Sequence, residues 1–447
     1  MHSAKRLFAA LLCLLSAGVQ AVTLSELGQS ALNNDLSFRA AGKAYEAEQA
    51  EVAAGKSHLL PSVGLSYQNT PYNRLTQRAP VTSQRHYSSH SLNLVVTQPL
   101  FDYTAYHQYR AAQIRGTAAE SRLQIQQAEL INRLVSAYLN LACALELQKT
   151  DRLRLALNTA QLGAAQRLLQ LGEGTVTEVE SARARLRQRQ AQLAETEAES
   201  LNALLILSDL TGLPQLRMQD LPALKAGDFR LPHLNDGDYA AQEQQMQAVH
   251  PEIKAVQQET SLAKAAAEVQ RGAFMPSAQL FAAWSDTRSD SNDTVGQRYR
   301  NLSAGIHLSV PLFSGGKDLA GMRKVSAQIQ QAQFEQDALV QTLRRDLARQ
   351  YQVFRHSSIQ LAALEQAAAA AQLQVTAAEK GYAAGQNSQP EVAHARDQYY
   401  QAEQELTKAR YDGLLAWFRL RHYSSTPEAG LFRQIEDYFT VTERPSH

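Results

Sequence analysis

Gly315, Gly316 and Lys317, in PLFSGGKD, are the residues whose types most directly suggest chemistry, since a glycine-rich turn followed by lysine can cradle phosphate. Their spacing rejects it. That loop needs GxxxxGK followed by Ser or Thr, whereas Pro311 occupies the first glycine position and Asp318 the hydroxyl position. The twelve histidines form no HExxH or comparable zinc pattern, and no GxSxG nucleophile turn occurs. A net charge of +1 leaves no basic stripe for nucleic acid. The residues support no enzyme, no cofactor and no bound metal.

What remains is a pair of acidic turns. LGEGTVTEVESAR, residues 171–183, has an echo in AGQNSQPEVAHAR, residues 384–396. The two share Gly172/Gly385, Glu178/Glu391, Val179/Val392, Ala182/Ala395 and Arg183/Arg396, at a constant offset of 213 residues. In the second turn Glu391 and His394 stand three apart, one helical turn. A carboxylate and an imidazole so placed would make the site pH-sensitive below about pH 7. The plain alternative is two surface residues on a helix's first turn, where an acid favours the dipole. Arg183 and Arg396 read as structural pairs between helices.

These turns sit inside a duplication of nearly the whole chain. HLLPSVGLSYQ matches AFMPSAQLFAAW, with Pro61 opposite Pro276. LNLVVTQPLFD matches AGIHLSVPLFSGG, with Pro99 opposite Pro311. Each half reads helix, strand, loop, strand, long helix, turn, helix. The expected divisions are a first repeat over 22–211, a connector over 212–248, a second repeat over 249–423 and a tail over 424–447. The strands come from alternation, as at Val63, Leu65 and Tyr67 or Leu302, Ala304, Ile306 and Leu308. Each is roughly 7–11 residues, near the ~9–11 that a tilted strand needs to cross a bilayer. Polar stretches 69–90 and 285–301 read as exposed loops. Thr104 to about Leu169 reads as one helix of about 65 residues, roughly 95 Å long. Leu123, Leu130, Leu134, Tyr138 and Leu141 give it heptad-like spacing. Such helices need return partners in coiled-coil fashion.

Residues 1–21 read as a secretion signal: Lys5 and Arg6, a short apolar run, then a VQA cleavage site. Cys13 lies inside the apolar run, which argues against lipidation. The mature chain then holds only Cys143, read as a small buried thiol. No later segment has ~18 consecutive apolar residues. Four strands cannot close a barrel, and an open edge in lipid leaves backbone groups unsatisfied. Either the strands avoid the membrane, or several chains share one barrel. The fold class is therefore mixed: a long α-helical coiled-coil barrel plus a transmembrane β-barrel shared between protomers, four strands per chain, with internal duplication.

LLPSV, QPLFD, VPLFSGG and the paired G…EV..AR turns, in doubled order, resemble the TolC family of outer-membrane channel-tunnels. The resemblance covers nearly the whole mature chain. It implies a homotrimer in outer-membrane lipid, with a helical tunnel in the periplasm and an equatorial domain formed by the connector and the tail. It implies docking to a periplasmic membrane-fusion adaptor and an inner-membrane ABC or proton-driven transporter. The two turns become hairpin tips at the periplasmic mouth, where Gly172, Gly174, Gly385 and Asn387 would meet the adaptor. Tyr382 and Glu178 match partners that hold the mouth shut in the family. Asn387 stands where the family has an arginine, so the resemblance implies that one charged latch is missing or replaced. Glu391 matches the first of two acidic selectivity rings, and His394 occupies the second. Threefold carboxylates in a narrow aperture sum their potential and attract cations.

The expected function is a passive outer-membrane exit duct for type I protein secretion. The alternatives are the outer-membrane component of a small-molecule efflux pump and a periplasmic coiled-coil scaffold. The bilayer-length strands speak against the scaffold.

Overall fold

A computed structural model of the chain describes residues 23–78, 80–225, 229–232, 238–289, 297–424 and 429–439. The secretion signal expected at 1–21 lies outside the described residues, as do the middle of the second strand loop, parts of the connector and half of the tail.

In chain order the elements are α1 (Leu24–Asn34), α2 (Leu36–Ser57), β1 (Ser62–Arg78), β2 (Val81–Asp102), α3 (Tyr103–Leu171), α4 (Val176–Thr211), α5 (Asp238–Val249), α6 (Pro251–Arg271), β3 (Ser277–Ser289), β4 (Gln297–Ser309), α7 (Lys317–Ala383), α8 (Gln389–Ser424) and α9 (Ala429–Glu436). The doubled order of helix, paired strands, long helix, turn and helix is present in both halves.

The chain divides into two compact units. One comprises Met1–Ala41, Gln124–His250 and Gln341–His447, and it holds the best-buried core. Leu130, Leu134, Tyr138 and Leu141 of α3 are all at most 1% exposed there, which explains their spacing in the sequence. Part of α3 is apolar enough to cross a membrane, but most of that stretch is buried within the protein. In α7 the buried residues Leu347, Phe354, Leu361, Ala368 and Val375 recur every seven residues. In α8, Val392, Leu406, Gly413 and Leu420 fall on one position of a heptad, and Ala395, Ala409 and Ala416 on another. These are coiled-coil seams. Helix α1 begins with a capping box: the Thr23 hydroxyl accepts from the Glu26 amide at 3.2 Å, and the Glu26 carboxylate accepts from the Thr23 amide at 3.0 Å. The α1 glycine Gly28 lies under the Phe432 ring of α9, and Glu436 of α9 accepts from the Ser25 amide.

The other unit, Gly42–Leu123 and Pro251–Val340, carries one antiparallel sheet of order β1-β2-β3-β4. Its register sorts the side chains onto two faces. The cross-strand row Leu65, Leu94, Trp284 and Leu302 lies on one face, as does the row Val63, Val96, Ala282 and Ala304. Ser66, Asn93, Ser285 and Asn301 make a row on the other. One face is apolar and exposed, the other polar. That alternation is the mark of a sheet with lipid on one side and water on the other. Tyr67 and Trp284 lie on the apolar face, where interfacial aromatics belong, whereas Tyr87 and Tyr299 lie on the polar face.

The strands are longer than expected, at 17, 22, 13 and 13 residues. Most of the polar stretch 69–90 is not loop: Asn69↔His90 through Arg78↔Val81 continue the β1–β2 ladder. Thr and Tyr favour strands despite their polarity, and the Tyr72 and Tyr87 rings stack across the ladder with centroids 5.0 Å apart. The four prolines mark the strand ends. Pro61 and Pro276 directly precede β1 and β3, Pro311 follows β4, and Pro99 sits at a register shift in β2, where a missing N–H is tolerated.

Candidate functional site: the two hairpin tips

The two echoing turns join α3 to α4 and α7 to α8, and they are closed by the same set of backbone hydrogen bonds. In the first, Gly172 N donates to Leu169 O at 3.1 Å, and Glu173 N and Gly174 N donate to Leu168 O at 3.0 and 3.1 Å. In the second, Gly385 N donates to Tyr382 O at 3.0 Å, and Gln386 N and Asn387 N donate to Gly381 O at 2.8 and 3.2 Å. Every partner is displaced by the same 213 residues. These bonds satisfy the last carbonyls of each long helix. Gly172 and Gly385 take φ of +80° and +73°, the left-handed conformation a β-carbon disfavours. Gly174 serves differently. A β-carbon there would lie 2.9 Å from Leu169 N and 3.1 Å from the Leu168 β-carbon.

At the second tip Asn387 replaces Gly174, and Gly381 replaces Leu168. The close approach is the same, but the glycine has moved to the other side of it. A β-carbon on Gly381 would lie 2.4 Å from Asn387 Nδ2. Asn387 Nδ2 also donates to Ala378 O at 3.3 Å, so its amide caps α7.

Both acidic residues of the echo tie down the helix that follows. Thr175 N donates to Glu178 Oε2 at 2.8 Å while the Thr175 hydroxyl accepts from Glu178 N at 3.2 Å. Ser388 N donates to Glu391 Oε2 at 2.6 Å, and the Ser388 hydroxyl donates to the same oxygen at 3.1 Å. These bonds from the Ser388 amide and hydroxyl hold the Glu391 carboxyl below the usual range. His394 is exposed, and its Nε2 meets Gln398 Nε2 at 3.1 Å. Within the chain, therefore, Glu391 and His394 each have other partners. Tyr382 is 51% exposed, and among the described residues its hydroxyl has no partner. Glu178 and Tyr382 are not joined within one chain. Arg396 bridges α8 to α7 through Glu379, at 3.0 Å from Nε, whereas Arg183 pairs with Glu180 on its own helix.

The sequence reading missed a polar network farther along these helices. Asp397 of α8 accepts from Arg154 of α3 at 3.0 Å and from Arg189 of α4 at 3.1 Å. Arg154 also donates to Gln404 at 2.7 Å, and Gln404 donates to Asp151 at 2.6 Å. Thr196 donates to Asp151 at 2.7 Å. Arg154 and Asp151 are only 5% and 4% exposed. The network ties the first hairpin to the second in one chain. Its signal was a break in the echo, since Asp397 has Ala184 at the matching position of the first half. Elsewhere, burial pushes the Cys143 thiol up to about 12, which makes it a poor nucleophile.

The profile of the family described as outer membrane efflux protein matches residues 27–213 and 243–425, one match for each half. The alkaline protease secretion protein AprF of Pseudomonas aeruginosa is 31% identical over 444 residues, covering 98% of this chain and 92% of that protein. The proteases secretion protein PrtF of Dickeya chrysanthemi is 31% identical over 439 residues, covering 97% and 94%. Among solved structures, a transmembrane channel, CusC, superposes with a TM-score of 0.75 at 18% identity, over 91% of this chain and 92% of that one. The helical hairpins, the two-faced sheet and the doubled match agree: the chain is an outer-membrane protein whose helices extend into the periplasm, and it belongs to the outer membrane efflux protein family.

Proposed function

We propose that three copies of this chain form a passive outer-membrane exit duct for type I protein secretion. The duct docks through its hairpin tips to a periplasmic adaptor, and through it to an inner-membrane ABC transporter. The full-length likeness to two protease secretion proteins carries the cargo class. The sheet supports shared assembly, because β1 and β4 each have one unpaired edge within the chain. In lipid those edges need partners, and further copies of the same sheet supply them. No nucleotide-binding motif supplies energy, so the transporter must. The family description favours a second reading, in which the same duct serves small-molecule efflux with a proton-driven transporter.

In the assembly, Gly172, Gly174, Gly385 and Asn387 shape the docking tips. Glu391 of each copy contributes to a cation-attracting ring, with His394 one turn away. Tyr382 and Glu178 close the mouth across the hairpins. The free Tyr382 hydroxyl supports that reading, since a neighbouring hairpin can supply its partner.

The test joins cells expressing a protease with its adaptor and ABC transporter, but no outer-membrane component, to single-channel recording of the purified protein. Restored extracellular protease and small cation-selective steps from a trimer are expected. A monomer without conductance would sink the proposal. Restored drug resistance without protease export would shift it to efflux.

A further inference from the structure

Three arginines crowd the apolar face of the sheet at the end away from its helices. The β3–β4 register places Trp284 opposite Leu302, then Asp286 opposite Arg300, then Arg288 opposite Arg298. All share a face with Ile306 and Leu308, and successive same-face rows are about 7 Å apart. Among the described residues a single carboxylate serves the group. Asp286 accepts from Arg298 Nε at 2.8 Å and from a second Arg298 nitrogen, and from Arg300 Nε at 3.3 Å. Arg288 makes no ion pair among the described residues, and it stands directly across from Arg298. Like charges in that position repel. Among the described residues, three guanidiniums stand against one carboxylate, an excess of two positive charges, and the Arg298 and Arg300 side chains are 54% and 62% exposed.

The position of this patch determines its partner. β3 follows α6 and β4 leads into α7, so the rows at 286–288 and 298–300 lie at the far end of the strands. With the helices in the periplasm, that end faces the cell surface. The patch adjoins the apolar band at Trp284 and Leu302, on the lipid side of the sheet. Long arginine side chains there reach headgroup depth. A plain ion pair would account for Asp286 with Arg298 and Arg300, but it leaves Arg288 unexplained.

We propose that this patch binds phosphate on the headgroup of an outer-leaflet lipid. Arg288 and Arg298, facing each other across the strands, clasp one phosphate, and Arg300 is held within reach by Asp286. The planar guanidinium suits bidentate capture of phosphate oxygens.

The test titrates the purified full-length assembly in detergent with a bis-phosphorylated glucosamine lipid, with its dephosphorylated counterpart and with inorganic phosphate, and reads retained lipid by native mass spectrometry. The phosphorylated lipid should bind at least roughly tenfold more tightly than the dephosphorylated one, as expected for charge-assisted bonds. Arg288→Gln breaks no ion pair, so it should leave assembly intact and cost roughly tenfold. Arg288→Gln/Arg298→Gln/Arg300→Gln should abolish the preference. Equal binding of the dephosphorylated lipid would overturn the proposal, and so would wild-type binding by both variants. Displacement of the lipid by low-millimolar inorganic phosphate would show a free-anion site instead.

Discussion

The side-chain amide of Asn387 lies over the bare α-carbon of Gly381, and this pair is the mirror of Gly174 beneath Leu168 at the other tip. One close approach is built twice, with the glycine on opposite partners. Gly381→Ala should therefore disrupt the second tip, at about 1–3 kcal/mol for forced overpacking. Gly381→Ala/Asn387→Gly should recover most of that, because it recreates the arrangement of the first tip. Hydrogen exchange at residues 381–388 checks the pair. Equal exchange in the single and double variants would show that the contact does not set tip stability.

Asp397 is the joint between hairpins. Asp397→Ala leaves the buried Arg154 with Gln404 alone. The expected loss is about 3 kcal/mol, at the low end for a broken buried pair because Asp397 keeps 29% of its side chain exposed. Thermal unfolding of the solubilised protein in a double-mutant cycle with Arg189→Ala should show coupling of about 0.5–3 kcal/mol. Additive effects would mean the two residues act independently.

Glu391→Ala should weaken cation preference and divalent block of single-channel current. Glu391→Gln can keep an oxygen for the Ser388 amide while removing the charge, so it separates the ring from the cap. If Glu391→Gln conducts with wild-type selectivity, the ring assignment is lost.

Tyr382→Phe with Glu178→Gln should raise closed-state conductance. Glutamine is chosen because it can still cap Thr175, whereas alanine would fray α4 as well. Unchanged conductance would place the latch elsewhere.

Acid should destabilise the helical unit through His250. Burial pushes its imidazole down to about 4, and the nearby His422 adds to the shift and is itself depressed by burial. The folded state refuses a proton that the unfolded chain takes up near pH 6.5. Stability is thus full above about 6.5 and falls as pH drops towards 4, by up to roughly 3 kcal/mol. His250→Gln should flatten the Tm–pH curve across that window, and an unchanged slope would assign the acid sensitivity to other groups.

Much of the fold was legible because duplication writes the same pattern twice. Pro61 against Pro276, the heptad-like leucines of α3 and the two-faced strands each follow from local spacing. The strand lengths were not legible, because residues 69–90 read as loop by polarity and pair only through a long-range ladder. At the tips, Gly172 and Gly385 stood out by type, and the tie between Glu391 and its helix start followed from first-turn chemistry. Gly381 did not stand out, since only the fold brings Asn387 onto it. The Asp397 network was hidden because it depends on residues of three helices, spaced by more than two hundred positions.

The seven-residue spacing of Leu347, Phe354, Leu361, Ala368 and Val375 has a mechanical consequence. A straight helix drifts by about 20° per heptad, so this seam must wind left-handed through about 80° to stay covered. Slipping α7 lengthwise by less than a heptad, about 10 Å, would drive glutamines and arginines into the seam. Rolling one helix around the other keeps the same residues covered. The second hairpin is thus better braced against sliding along its length than against twist.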